Sequence, residues 1–285
     1  MKQNLGPSYK EQLEDLNREF QNIKRISREY ENVTRPLERH LPAIPLDYMK
    51  NDEEQTRQVQ GWKRYILWEK QNPLKLDNQQ SLMKRVLFAY EQSFLCLAYH
   101  CDIWHEAACY LHKQCNKQFE DKTNLSHQEL YLKQMNDDAA SCLYERAINT
   151  FMKNNILINL AFADFEEERK NYVKCHEIYE KCLKNQQMEP TLVWIHYIKF
   201  VKRTEDLNSA RKLFKRARED PRIQFQLFIS NANLEYFCTK DKTIGFKILH
   251  LGAKKFGNEE NYMLAYLKYM SHLNGLHLLF KFYLI

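Results

Sequence analysis

Residues 62–69 read Trp62-Lys-Arg-Tyr65-Ile-Leu-Trp68-Glu69, with three aromatic side chains spaced three residues apart. Side chains at this spacing share one face of a helix, so the stretch predicts an amphipathic helix with an aromatic face. Related helices are predicted to begin at Trp104, Asn159, Trp194, Phe228 and Tyr262. The last four starts are separated by 35, 34 and 34 residues. A fixed interval of this length is typical of repeated helix pairs.

A second series of helices is interleaved with the first. It is centred on Tyr90, Tyr144, Tyr179, Phe214 and Leu249, and the last four centres are each 35 residues apart. A lone helix pair cannot bury its outer face, so pairs of this kind stack on one another. The two series predict an all-α fold, a right-handed superhelical α-solenoid of helix pairs. An ordinary helical bundle is the alternative, but a bundle does not require a fixed period.

The repeat predicts a core of aromatic, small and acidic side chains. Each buried ring contributes on the order of 1.5–3 kcal/mol, and a small alanine beside it lets the neighbouring helix approach. Glu69, Glu166 and Glu235 recur at one repeat position, which indicates a hydrogen bond or ion pair between helices rather than catalysis. The predicted repeat core consists of Trp62, Tyr65, Trp68, Glu69, Tyr90, Trp104, Tyr144, Ala147, Phe162, Glu166, Tyr179, Trp194, Tyr197, Phe214, Ala217, Phe228, Glu235 and Tyr262.

The chain divides into three predicted parts. Residues 1–56 contain one long helix, the end of an amino-terminal repeat block, followed by a proline-containing linker. Residues 57–274 form the repeat array, and an insertion at 116–134 separates the helices of its second pair. Residues 275–285 form an atypical hydrophobic tail, which is too short to cross a bilayer because a span needs about 20 residues.

Two boundaries within the array carry local signals. Asp220-Pro221 places a capping side chain before a proline, which predicts that a helix begins at Pro221. Gly257-Asn258 predicts that a helix ends immediately before it, because glycine is the usual residue after a helix C-terminus.

The sequence carries no pattern typical of an active site. Its six glycines are scattered and form no phosphate-binding loop, and no serine lies in a nucleophile elbow. Acidic runs such as Glu166-Glu-Glu168 follow the apolar face of a helix and are interpreted as solvated surface. We therefore predict that the protein is not an enzyme and needs no cofactor.

One stretch holds several residue types that bind metals. Cys101, His105, Cys109, His112 and Cys115 are spaced along one stripe of a predicted helix. Zinc sites are tetrahedral, and consecutive ligands on one straight helix cannot close a tetrahedron without a further group. We therefore predict no metal site and interpret the stripe as a partly exposed helix face.

Basic residues are concentrated towards the carboxyl end. Residues 191–255 contain 14 Lys or Arg against 6 Asp or Glu, whereas the whole chain has a net charge of +6. Such a face is suited to an acidic protein partner or to RNA, or it is simply solvated, and no exposed aromatic platform interleaves the charges. The predicted partner-binding basic face consists of Arg211, Lys212, Lys215, Arg216 and Arg218.

The repeated motifs support a resemblance. Trp-x-x-Tyr-x-x-Trp-Glu, followed by Tyr-Glu-Arg-Ala, resembles the half-a-tetratricopeptide (HAT) repeat of RNA-processing proteins. More narrowly, residues 62–74, 84–92, 214–220 and 264–274 are similar to the suppressor of forked family, the scaffold subunit of the cleavage stimulation factor. The resemblance covers residues 20–274, and the chain leaves the family pattern at Gly275.

The resemblance implies a non-catalytic scaffold in pre-mRNA 3′-end cleavage and polyadenylation, located in the nucleus. It implies protein partners among the subunits of the cleavage stimulation factor and of the cleavage and polyadenylation specificity factor. It also leaves a homodimer open and implies indirect contact with RNA. The shortness of the apolar tail predicts no membrane association. Two alternatives remain open: direct RNA binding through the basic face, and a HAT scaffold of another RNA machine such as the spliceosome.

Overall fold

The computed structural model describes residues 7–40, 43, 52–119, 127–240 and 242–272, and every regular element among them is an α-helix. The all-α fold class expected from the sequence is confirmed. The chain divides into two compact units, Met1–Lys153 and Asn154–Ile285.

In the first unit, each described helix packs on the next along the chain. The first helix precedes the first pair, and the other four form two pairs. The helices of this unit are α1 (Pro7–Thr34), α2 (Asp52–Lys70), α3 (Gln79–Leu97), α4 (Cys101–Phe119) and α5 (His127–Asn149).

In the second unit, helix pairs also pack against one another. The first helices of successive pairs lie side by side, with α6 on α8, α8 on α10 and α10 on α12. The helices of this unit are α6 (Ile156–Glu168), α7 (Tyr172–Lys184), α8 (Pro190–Thr204), α9 (Leu207–Ala217), α10 (Gln226–Thr239), α11 (Lys242–Phe256) and α12 (Glu260–His272).

Side-chain caps explain where several helices begin. The carboxamide of Asn155 and the carboxylate of Asp206 each accept a hydrogen bond from the backbone N–H three residues on, at 3.2 and 2.7 Å. Helix α8 begins with Pro190 after Glu189, whose carboxylate accepts from a backbone N–H at 3.1 Å. These bonds satisfy N–H groups that have no partner within the helix.

The predicted helix start at Pro221 is wrong, because α10 begins at Gln226. The carboxylate of Asp220 instead accepts from the backbone N–H and the guanidinium of Arg222 at 3.0 and 2.9 Å, and from the indole N–H of Trp194 at 3.3 Å. Asp220 therefore stabilises a turn between pairs rather than a helix terminus. The other predicted boundary is correct, because α11 ends at Phe256, immediately before Gly257.

Part of the predicted insertion at 116–134 is helical, since α4 extends to Phe119 and α5 begins at His127. Residues 120–126 lie outside the described residues. The tail at 275–285 and part of the proline-containing linker, residues 41–42 and 44–51, also lie outside them. Within the described ranges, no helix combines the length and the apolar character needed to cross a membrane.

Candidate protein-interaction surfaces

The second helix of each pair carries a large buried side chain followed, three residues later, by a small buried residue. Gly252 shows why the second position is small: a Cβ atom there would lie 3.0 Å from Cγ of Phe228 and 2.5 Å from the hydroxyl of Tyr262. Rings from the pair's own first helix and from the next pair's first helix therefore meet at this position. The five couples are Tyr90/Ser93, Tyr144/Ala147, Tyr179/Cys182, Phe214/Ala217 and Leu249/Gly252, all of them buried.

The first helices supply aromatic side chains that stack across the pairs. The ring of Trp104 on α4 lies 3.7 Å from that of Phe94 on α3, with the two planes nearly parallel. In the second unit, the rings of Tyr179 and Tyr197 stack at 4.8 Å. The structure buries the side chains of the predicted repeat core, with one exception: Trp68 is half-buried.

Three buried glutamates occupy the repeat position that follows the aromatic face of the first helix. Glu69 accepts two hydrogen bonds from Arg85 on α3, at 3.0 and 2.8 Å, and so joins the two helices of its pair. Glu235 accepts two from Arg211 on α9, at 2.7 and 2.8 Å, and so joins one pair to the preceding one. A buried carboxylate is tolerated only when it is paired in this way.

Glu166 is also buried, so the interpretation of the run Glu166-Glu-Glu168 as solvated surface is wrong for its first residue. At the end of its own helix, its carboxylate accepts hydrogen bonds from the side-chain amide of Asn171 at 2.9 Å and from the guanidinium of Arg169 at 3.3 Å. The carboxylate therefore stabilises the turn between α6 and α7. The sequence pattern indicated one kind of contact for this position, but the arginine that pairs with Glu69 follows it in the chain, whereas the arginine that pairs with Glu235 precedes it.

An arginine that precedes the small residue forms a second repeated contact. Arg216 on α9 donates two hydrogen bonds to Glu180 on α7, at 2.6 and 2.8 Å, and its guanidinium lies 5.2 Å from the ring of Trp194. The hydrogen bond from Arg216 lowers the pKa of Glu180, and the same contact raises the pKa of Arg216. The side chain therefore joins the second helices of two successive pairs over a buried indole.

The first unit contains the same arrangement at the same repeat positions. Arg146 on α5 donates to Glu91 on α3 at 2.7 Å, and its guanidinium lies 5.1 Å from the ring of Trp104. Glu91 and Glu180 each follow the large residue of their helix, and Arg146 and Arg216 each precede the small one. Sequence reasoning missed this contact, although the period placed both members in register.

These ion pairs change the composition of the predicted basic face. Arg211 and Arg216 are held by Glu235 and Glu180, so their charges are balanced within the second unit. The remaining three cations, Lys212, Lys215 and Arg218, are exposed on or just after α9. We call these three residues the α9 basic surface.

The histidines of α4 have partners on α5. Nδ1 of His105 lies 2.7 Å from the hydroxyl of Tyr144, and Nδ1 of His112 lies 2.9 Å from a carboxylate oxygen of Asp137. The side chain of Cys115 lies outside the described residues. Among the side chains that are described, no group of three or more His, Cys, Asp or Glu is arranged to hold a metal ion.

An open groove of about 610 Å³ lies between α1 and α3, with α2 as its floor. We call it the α1–α3 groove. Its walls are mostly apolar and aromatic, and one exposed cation lies on the α3 side. Six residues that line it are Ile23, Tyr30, Trp68, Leu74, Lys84 and Phe88.

The helix pairs, their shared buried couples and their repeated ion pairs define an all-helical repeat protein. Among protein families, the one described as "Suppressor of forked protein (Suf)" matches residues 5–279. The chain belongs to the suppressor of forked family, as the motifs in its sequence predict.

Three curated relatives illustrate the similarity. The chain is 36% identical to protein suppressor of forked of Drosophila melanogaster, over 95% of this chain and 39% of that protein. It is 27% identical to cleavage stimulation factor subunit 77 of Arabidopsis thaliana, over 90% of this chain and 31% of that protein. It is 24% identical to mRNA 3′-end-processing protein RNA14 of Saccharomyces cerevisiae, over 91% of this chain and 40% of that protein. The chain thus spans less than half the length of these relatives.

Among solved structures, a chain of the human IFIT1 dimer with m7Gppp-AAAA is similar with a TM-score of 0.40 and 12% identity, over 78% of this chain and 52% of that chain. A similarity at this level supports no statement about ligand or function.

Proposed function

We propose that this chain is a non-catalytic helical-repeat scaffold in pre-mRNA 3′-end cleavage and polyadenylation, which binds other processing factors through its helix pairs. The observation that carries the proposal is the match of the suppressor of forked family to nearly the whole chain. The names of two relatives, a cleavage stimulation factor subunit and an mRNA 3′-end-processing protein, support the process.

The use of ionisable side chains supports a structural role. The buried carboxylates of Glu69 and Glu235 are each held by an arginine in two hydrogen bonds, which leaves them poorly suited to accept or deliver a proton. His105 and His112 are likewise engaged by α5. These groups join helices, as expected of a protein that acts by presenting surfaces.

The proposed partners are protein subunits of the cleavage stimulation factor and of the cleavage and polyadenylation specificity factor, and the proposed location is the nucleus. A direct test mixes the purified chain with each of the two purified complexes and follows co-elution by size-exclusion chromatography. We expect co-elution with at least one complex. If the chain elutes alone from both mixtures, the proposed partners are wrong.

We also propose that the chain forms a homodimer, which the family resemblance leaves open. Light scattering across micromolar concentrations measures the molar mass directly, and a dimer would be twice the 34.5 kDa of one chain. A mass that stays at the monomer value over the whole range would contradict this part of the proposal without affecting the binding test above.

Direct RNA binding is a second candidate function, which the exposed α9 basic surface supports. If these cations contact phosphates, affinity for single-stranded RNA falls steeply with salt, because each contact releases counterions. Changing Lys212, Lys215 and Arg218 to Glu should abolish binding. The control changes Lys75, Lys113 and Lys153, exposed lysines of the first unit, to Glu and alters net charge equally. Equal losses in the two variants would contradict a specific site on α9.

A further inference from the structure

The ion pair that joins successive second helices is absent at one step of the second unit. Glu180 directly follows Tyr179 on α7 and pairs with Arg216 on α9. One repeat later, 35 residues further along the chain, the corresponding residues are Lys215 on α9 and Leu251 on α11. A lysine and a leucine cannot form an ion pair, so the link between α7 and α9 has no equivalent at these positions of α9 and α11.

The two residues at this step, Lys215 and Leu251, are both exposed. Leu251 lies four residues after Lys247 and three before Lys254. Side chains at these spacings are neighbours on one face of a helix. Both of these lysines are exposed as well. The outer face of α11 therefore presents an apolar side chain between two cations.

The helices α9 and α11 lie on the same side of α10. The ring of Phe228 on α10 lies 5.7 Å from that of Phe214 on α9 and 5.8 Å from that of Phe256 on α11. Lys212 and Lys247 each precede the large buried residue of their helix by two positions, so their side chains are directed to the same outer face. The cations of the two helices therefore form one surface.

The two helices offer no acid to neutralise these cations, because neither α9 nor α11 contains Asp or Glu. Of the acids that flank α9, Asp206 caps the helix and Asp220 is held by Arg222, so Glu219 is the flanking acid that is exposed beside the cations. We define the α9–α11 surface as six exposed cations and one exposed apolar residue: Lys212, Lys215, Arg218, Lys247, Leu251, Lys254 and Lys255.

Charge and apolar contact together specify the occupant. A surface with this excess of cations attracts an anionic partner. Single-stranded RNA gains affinity by stacking its bases on exposed aromatic rings, and the exposed aromatic residues of the described chain all lie outside α9 and α11. Phosphates also make no use of the apolar side chain of Leu251. A protein segment with carboxylates beside a large apolar side chain complements both features.

We propose that the α9–α11 surface binds an acidic segment of a partner protein, which places carboxylates against Lys215 and the neighbouring cations and packs an apolar side chain on Leu251. This inference rests on the proposed scaffold function and gives the chemistry of one partner segment. Its test uses the purified chain and peptides, so its failure is distinct from a failure of co-elution with the processing complexes.

The test selects binders from a phage library of random peptides of about 12 residues, which span about 18 Å as a helix and more when extended. Selected peptides are synthesised with a fluorescent label, and their affinities are measured by anisotropy. We expect two or more Asp or Glu beside a large apolar residue. A selection that yields no binder, or peptides without this pattern, would overturn the proposal.

A double variant closes the surface by restoring the missing ion pair. Lys215→Glu combined with Leu251→Arg gives these positions the residue types of Glu180 and Arg216. We expect peptide affinity to fall about tenfold or more, because the carboxylates of the peptide then meet an acid and an arginine that is already paired. The double variant should unfold at the same or a higher denaturant concentration than the unchanged chain.

The matched control is Lys199→Gln, on the first helix α8. Lys199 is exposed, and this change lowers the net charge by one, as the double variant does. The control should bind the peptides as the unchanged chain does, and equal losses in the two variants would overturn the assignment. If the double variant does not fold, Lys215→Gln replaces it in the same comparison, because it changes one exposed side chain and the same charge.

RNA is the competing occupant, and an oligouridine of 12 nucleotides is its probe. We expect the oligouridine to bind more weakly than the selected peptides at the same salt concentration. If it binds more tightly and displaces them, and the double variant loses this binding, the α9–α11 surface is a nucleic-acid site and the proposal is wrong.

Discussion

Trp194 shows how a single side chain joins three parts of the second unit. Its indole N–H donates to Asp220 in the turn before α10, and its ring lies under the guanidinium of Arg216 from α9. The ring itself is buried on α8. The packing of this helix pair and the position of the following turn therefore both depend on Trp194, a residue that the repeat period predicts to be in the core.

We expect Trp194→Ala to lower the free energy of unfolding by about 3–5 kcal/mol, because it leaves a cavity in a close-packed region. Denaturant unfolding followed by circular dichroism measures the change. A loss below about 1 kcal/mol would contradict the predicted repeat register, since it would place the tryptophan where surface substitutions are tolerated.

The ion pair of Glu180 and Arg216 predicts a pH-dependent contribution to stability. The hydrogen bond from Arg216 lowers the pKa of Glu180 below its ordinary value of 4.5, so the contribution is complete above that pH and is lost as pH falls through the lowered pKa. Because about half of the Arg216 side chain is exposed, we expect about 1 kcal/mol or less.

The measurement compares the unchanged chain with Arg216→Ala in denaturant unfolding at neutral pH and at a pH well below the ordinary value for glutamate. The variant should be less stable at neutral pH, and the difference should shrink in acid. A difference that stays constant would mean that packing over Trp194, rather than the ion pair, accounts for the effect.

At the scale of the helix, much of the structure could be predicted from the sequence. The 35-residue period places Tyr144, Tyr179 and Phe214 correctly as buried residues of second helices, because such a period requires the same face to be buried in each unit. Tyr144 is not at the centre of its helix, however, because α5 extends from His127 to Asn149. Contacts between helices could not be predicted equally well. Glu69 and Glu235 pair in opposite directions along the chain, since pairing depends on where a donor lies in three dimensions.

One of the two boundaries predicted from local signals was wrong. Asp220-Pro221 has the composition of a helix start, but Trp194 and Arg222 offer the carboxylate other donors, and α10 begins at Gln226. The ion pair of Arg146 with Glu91, unlike this turn, could have been predicted, because the same two residue types recur at the same repeat positions as Arg216 and Glu180. Tertiary donors therefore override local capping preferences at this turn.

The small buried residue of each second helix lies in close packing, so a larger side chain there is expected to lower the stability of the fold. Ala217→Leu on α9 should destabilise the chain by about 1–3 kcal/mol, because it adds methylenes to a buried and close-packed contact. The control is Lys215→Leu, which lies on the same helix and is exposed, and should change stability by about 0.5 kcal/mol or less. Similar effects of the two changes in thermal unfolding would contradict the assigned helix face.

Cysteine reactivity tests which faces of the helices are buried. Burial raises the pKa of Cys175 to about 12 and that of Cys182 to about 11, so both thiols should react slowly with a maleimide in the folded chain. Cys142 and Cys238 are exposed and should react quickly. Site-resolved mass spectrometry follows each residue, and rapid labelling of Cys175 without unfolding would contradict the structure of α7.

At the scale of the whole molecule, the chain belongs to the suppressor of forked family, and the proposed role in mRNA 3′-end processing rests on that membership. The two compact units share one structural arrangement: aromatic first helices, second helices with a small position, and an arginine that links successive pairs. The α9 basic surface is exposed and takes no part in this packing, and it is the surface for which we propose a binding role.

The most direct test of the scaffold proposal is capture of binding proteins from nuclear extract on the immobilised chain, with quantification by mass spectrometry. Capture on a matched unrelated helical-repeat protein defines the background. We predict enrichment of the cleavage stimulation and cleavage and polyadenylation specificity factors above that background. Enrichment of spliceosomal factors instead, or no processing factor above background, would contradict the proposed function.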